Sequence, residues 1–82
     1  MKFSVYAIRD IHTGFLTPTF EVNDAVAMRN FNHAVNNADS VLFTAMKDFD
    51  LYKIGEYDSD TGRLTSLDLP VLLMSASDCL KG

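Results

Sequence analysis

Eighty-two residues with a net charge of −4 describe one small domain, because a chain of this length buries only roughly 60% of the surface it exposes when unfolded and has no apolar surplus for a second core. Cys79 stands alone, which excludes an internal disulfide or a zinc site of two or more thiolates and fits a reducing compartment. The seven Lys and Arg are scattered singly, so the chain lacks the broad basic face with which a protein coats nucleic acid, although a local patch stays open.

The first segment, Lys2 to Asp10, is rich in β-branched and aromatic residues and reads as a strand. Phe3, Val5 and Ala7 fall on one of its faces and Tyr6 and Ile8 on the other, so both faces are expected to be covered. Gly14 to Val22 is a second extended segment, with Leu16, Phe20 and Val22 on its apolar side. Pro18 cannot donate to a ladder and places that segment at an edge or a bulge.

The period then changes. Ala27, Met28, Phe31, Ala34, Val35 and Ala38 recur at three- and four-residue steps, which predicts a helix over about 24–37, started by Asn23 or Asp24 and ended at Asn36-Asn37. Its outer face carries Arg29, Asn30, Asn32, His33 and Asn36. Asparagines are poor helix formers, so tertiary packing or a hydrogen-bonding contact must hold them.

Ser40 to Ala45 reads as a short strand and Met46 to Asp50 as a turn that sends Phe49 back to the core. Leu51 to Asp58 and Arg63 to Leu69 form another hairpin, with Tyr52 and Ile54 on one face and Lys53 and Tyr57 on the other, beside Arg63 or Thr65. The closing segment, Asp68 to Gly82, is apolar at first, fits strand or short helix, and ends in a few residues read as a loose end. The expected fold is α+β: two β-hairpins in a mainly antiparallel sheet, packed by one central helix, in a single domain over 1–82. No run of apolar residues is long enough for a transmembrane span or a signal peptide, so the chain reads as soluble and intracellular.

One skeleton occurs twice, as Asp10-Ile11-His12-Thr13-Gly14-Phe15-Leu16-Thr17 and as Asp58-Ser59-Asp60-Thr61-Gly62-Arg63-Leu64-Thr65. A calcium loop needs oxygen ligands at its first, third and fifth positions, Gly at the sixth and Glu at the twelfth; counted from Asp58, these last three are Gly62, Arg63 and Leu69. A phosphate cradle lacks its glycines and its following helix. Turn chemistry accounts for the shared positions: Asp accepts a backbone amide two residues on, and Gly takes the left-handed geometry that returns the strand. Leu16 and Leu64 are then expected to point into the core.

Groups for catalysis are lacking in pattern. His12 and His33 have no partner at metal-ligand spacing, Cys79 has only Lys81 as a basic neighbour, and Asp58 and Asp60 share a solvated turn tip. The chain reads as a non-enzyme with no metal or cofactor. Five acids between Asp48 and Asp60 could meet a basic partner, although such clusters more often only face solvent.

Arg9-Asp10 with Thr13-Gly14, the helix start Asn23-Asp24-Ala25, Arg29-Asn30-Phe31, and Asp48-Phe49-Asp50-Leu51-Tyr52 running into Gly55-Glu56-Tyr57-Asp58 give the chain a wider likeness. From Tyr6 to Gly62 it resembles the small nonstructural protein of gokushoviruses, the single-stranded DNA phages of the microvirus group. The resemblance implies a protein made in the host bacterial cytoplasm that acts in viral DNA replication. By analogy with the small C protein of isometric microviruses, it would engage the replication complex and turn synthesis toward single strands and packaging.

Two expectations follow. As a DNA-engaging accessory, the protein would stack bases on Tyr57 or Tyr6 and meet phosphates of single-stranded DNA with Arg9, Arg29, Lys53 and Arg63. As a protein adaptor, it would form a homodimer through the apolar second face of the first strand and dock on the replication initiator or procapsid by its acidic loop.

Overall fold

A computed structural model describes residues 1–79; residues 80–82, on which the expected loose end falls, lie outside the described residues. The chain folds as an α+β domain with a curled antiparallel sheet and one main helix, the class read from its β-rich segments and its one helical period. Strand β1 (Lys2–Asp10) lies inside the sheet. One of its sides pairs with β4 (Phe49–Asp58), and β4 in turn with β5 (Arg63–Ser75). The other side is shared by two short strands, β2 (Gly14–Phe15) and β3 (Thr19–Glu21). Pro18 falls in the break between these two, where its missing N–H leaves no gap in a ladder.

Helix α1 (Asp24–Val35) begins where the sequence places it: the Asn23 side chain accepts the Val26 amide at 2.9 Å. Ala27, Phe31 and Val35 project from one stripe into the core and meet Tyr6, Phe49 and Leu51 of the sheet. The helix ends two residues earlier than expected, with Asn36 as its C-cap at φ −83°. The Asn36 side-chain amide donates to the Asn32 carbonyl and to the Cys79 carbonyl, so it ties the helix end to the chain's closing turn. Tertiary hydrogen bonding thus holds one of the asparagines that propensity alone disfavours.

Ser40 to Ala45 is a helical turn, α2 (Val41–Thr44), where a strand was expected. Ser40 decides the difference: its hydroxyl accepts the Leu42 amide at 3.0 Å, a helix cap that outweighs the β-propensity of Val41 and Phe43. A 3₁₀ turn, Met46–Asp48, then delivers Phe49 into the core. The closing segment resolves into both of its options, since β5 runs to Ser75 and a 3₁₀ turn, Ala76–Cys79, follows and buries Ala76 and Cys79.

Both repeated motifs turn the chain with the same side-chain chemistry, although the first loop closes with the Thr13 amide on the Asp10 carbonyl and the second, one residue longer, with the Gly62 amide on the Asp58 carbonyl. Asp10 accepts the His12 amide and Asp58 the Asp60 amide, each at 2.9 Å, and Gly14 and Gly62 take φ of +98° and +74°. The leucines two residues beyond do not enter the core: Leu16 and Leu64 are exposed. The second turn also holds the chain start, through an ion pair of 2.7 Å between the Met1 ammonium and Asp60.

Candidate functional site

Paired residues in an antiparallel sheet share a face, so the register sorts the side chains. Tyr6 lies opposite Lys53 and Ile8 opposite Leu51, and this face carries α1. On the reverse face, Phe3 lies opposite Tyr57, Val5 opposite Phe20 and Gly55, Ala7 opposite Tyr52, and Arg9 opposite Phe15 and Asp50. From β5 it gains Leu64 beside Tyr57 and Leu72 beside Tyr52. No helix or loop among the described residues lies across this reverse face as α1 does across the other.

The reverse face is aromatic. Phe20 and Tyr57 meet edge to face at 5.5 Å, Phe15 and Tyr52 at 5.3 Å, and Phe3 stands 6.4 Å from Tyr57. These separations are those of favourable ring pairs. The rings flank Val5 and Ala7, which are buried, while Phe15 and Phe20 remain 47% exposed and Leu64 63%. Phe3, Phe20 and Tyr57 border an open hollow of about 430 Å³. A second of about 200 Å³ lies between Val5, Pro18, Phe20, Ile54, Gly55 and Leu64. Arg9 and Asp50, facing each other across β1 and β4, are the charged residues of its paired rows.

A bulge separates two residues that the sequence places together. Between Val5 and Tyr6 the register of β1 with β4 shifts by one, because Ile54 is an extra residue on β4. The side-chain alternation therefore inverts there. Tyr57 points to the reverse face, whereas Lys53 lies on the helix side with its ammonium 3.9 Å from Asp24. Arg63 is exposed opposite Asp58, Arg29 is exposed on α1 beside Asn32, His33 and Asn36, and Arg9 is half-buried. The five residues expected to form one contact site thus lie on several surfaces.

Tyr6, the second expected stacking residue, is fully buried. Its hydroxyl donates to Asp24 at 2.7 Å. Burial and this bond push its pKa up to about 12. The acidic loop is also redistributed: Asp48 reaches His12 at 3.3 Å, Asp50 faces Arg9, and Glu56, Asp58 and Asp60 lie at the far end of β4 and its turn. The Asp60 amide holds the Asp58 carboxyl below its usual range.

The aromatic residues were individually visible in the sequence, but their shared face was not. Phe15 and Phe20 join Tyr52 and Tyr57 only through the pairing of β2 and β3 with β1.

Among the described residues no group of three or more His, Cys, Asp or Glu is placed to hold a metal ion, and no helix is long and apolar enough to cross a membrane. No curated protein and no solved structure matches the chain. A family model described as Phage ORF5 protein matches residues 3–79, a span that takes in β1 through the closing turn and every ring of the aromatic face, and the chain belongs to this family of phage proteins.

Proposed function

We propose that the protein is a non-catalytic, nonstructural accessory of phage DNA replication that works by protein–protein contact through the reverse face of its sheet. The observation that carries this proposal is the makeup of that face: five rings, exposed leucines, and, in its paired rows, one cation facing one acid. Interface centres are enriched in aromatic residues and depleted of charge, and apolar patches beyond a few hundred Å² mark interaction sites. The phage setting rests on the family, and the place in replication, in the cytoplasm of the infected bacterium, on the resemblance to the gokushovirus protein alone. The replication initiator and the procapsid are the partners that this context offers.

A second reading, single-stranded DNA stacked on the same face, draws on the open rows of rings, since sheet-borne aromatics hold bases in several nucleic-acid-binding folds. Its weakness is electrostatic. Lys53 is next to Asp24, Arg63 lies opposite Asp58, and Arg9 faces Asp50, so little positive charge is left for phosphates near the rings.

Fluorescence anisotropy of a labelled single-stranded oligonucleotide across a salt series separates the two. Protein–protein action predicts no binding at low salt and no effect of Lys53→Glu with Arg63→Glu. Affinity that falls steeply with salt and is lost on substituting Tyr57 would replace that reading with the DNA one. Calorimetry of the purified replication initiator and of procapsids with wild type and Leu64→Arg tests the partners.

A further inference from the structure

The hollow bordered by Phe3, Phe20 and Tyr57 lies on the same face as Leu64, which is 63% exposed and stands beside Tyr57. A second apolar hollow runs between Phe20 and Leu64. One face therefore carries both projecting apolar side chains and the recesses that could receive them. That is the requirement of a twofold interface, in which the same patch appears on both partners and a projection on each enters a recess on the other.

We infer that a second copy of this chain covers the reverse face, packing sheet on sheet into a sandwich with α1 of each copy outermost. This rests on the protein-contact proposal and names the first occupant of that surface.

Area and charge both favour this occupant. Phe15, Phe20, Leu64 and Leu72 are each about half exposed or more, and Phe3, Tyr52 and Tyr57 are partly exposed. Together they present on the order of 500 Å² of apolar surface, from the usual areas of such side chains. A standard interface covers about 800 Å² per partner and in homodimers is about 65% apolar, which calls for a similar apolar area. A chain of net charge −4 meeting itself must keep its acids apart. Of the eleven Asp and Glu, Asp50 belongs to the paired rows of this face, with Arg9 opposite it, and Asp68 stands at its rim on the unpaired stretch of the outer strand β5. A basic partner would be expected to meet acids here, and nucleic acid to meet cations; the face offers neither in excess.

Sedimentation velocity and light scattering from low micromolar to near-millimolar protein test the inference. The wild-type mass should double with concentration, and aromatic NMR resonances of Phe3, Phe20 and Tyr57 should shift on dilution. Leu64→Arg and Phe20→Arg alter exposed positions and should stay monomeric with unchanged far-ultraviolet circular dichroism. Val41→Arg, equally exposed but on α2, should dimerise like wild type. Wild type that stays monomeric throughout, or a dimer that survives both face variants, overturns the inference. A monomer whose Leu64→Arg variant loses binding to the replication initiator would overturn the dimer and leave the protein-contact proposal standing. A monomer that takes up single-stranded DNA on the rings would overturn both.

Discussion

The Tyr6 hydroxyl donates to Asp24 across 2.7 Å and so fastens the middle of β1 to the first turn of α1. Tyr6 is fully buried, while the Asp24 side chain is about half exposed and also faces the Lys53 ammonium. Tyr6→Phe keeps the ring and removes the bond. The bond has a charged acceptor, but water can replace the hydroxyl at Asp24, so the loss should be about 1–2 kcal/mol in urea unfolding.

The same contact sets a response to alkali. The folded protein holds the Tyr6 proton to about pH 12, against 10.0 for an unperturbed tyrosine. Between those values the unfolded chain has released a proton that the native state keeps, so stability is intact below pH 10 and falls as pH rises toward 12. Unfolding midpoints across this window should decline in wild type and decline less in Tyr6→Phe. An equal decline in both would show that other groups govern the alkaline limb.

Gly55 lies where β4 runs close against the backbone of β5. A Cβ built there would sit 2.6 Å from the Thr65 backbone oxygen, and backbone cannot move aside as a side-chain tip can. Gly55→Ala should therefore cost roughly 1–3 kcal/mol, as overpacking of a closed contact does. Because Gly55 adjoins the Ile54 bulge, the variant should also disturb the amide shifts of Val5 and Tyr6. A variant as stable as wild type would mean that the two strands can separate there.

The two like turns differ in what they hold, and acid should reveal it. Asp58 accepts the Asp60 amide, which keeps its carboxyl below the usual range, and it lies 3.8 Å from the Met1 ammonium. A group with a lowered folded pKa contributes stability above its unfolded value and loses it as pH falls through the folded one. Asp58→Ala should flatten the acid side of the stability curve. Asp10→Ala, which removes the amide bond to His12 in the first turn, should lower stability at neutral pH.

Most of the fold was legible because it rests on local pattern. Lys2 to Asp10 is rich in β-branched and aromatic residues, Ala27, Phe31 and Val35 follow a helical stripe, Asn23 caps, and Gly14 and Gly62 turn the chain. What escaped depends on contacts distant in sequence. The Ile54 bulge reverses the faces of Lys53 and Tyr57, and its cue, Gly55 beneath the Thr65 carbonyl, exists only once β5 is paired. Leu16 and Leu64 were expected inside because apolar residues after a turn usually face the core. Leu64 stays exposed beside Tyr57 on the reverse face, and Leu16 just beyond the short outer strand β2. The aromatic site was hidden for the same reason, being assembled from four strands whose order alternation does not specify.

Lys53 and Arg63 share a charge and a neighbourhood in sequence, yet reversing them should have unlike effects. Lys53 lies on the helix side, partly buried, with its ammonium 3.9 Å from the carboxylate that also receives the Tyr6 hydroxyl. Lys53→Glu places a second acid against Asp24 and should cost about 1 kcal/mol, while Lys53→Met, which keeps the aliphatic stem, should cost less. Arg63 is exposed at the start of β5, so Arg63→Glu should fall within about 0.5 kcal/mol of wild type. Urea midpoints for the three variants at neutral pH check the order. If Lys53→Glu and Arg63→Glu were equally mild, Lys53 would be solvated and available to a phosphate, and the case against DNA contact would lose one of its supports. If only Lys53→Glu is destabilised, its charge serves the junction of β1, β4 and α1, and any loss of binding in that variant must be measured against the loss of fold.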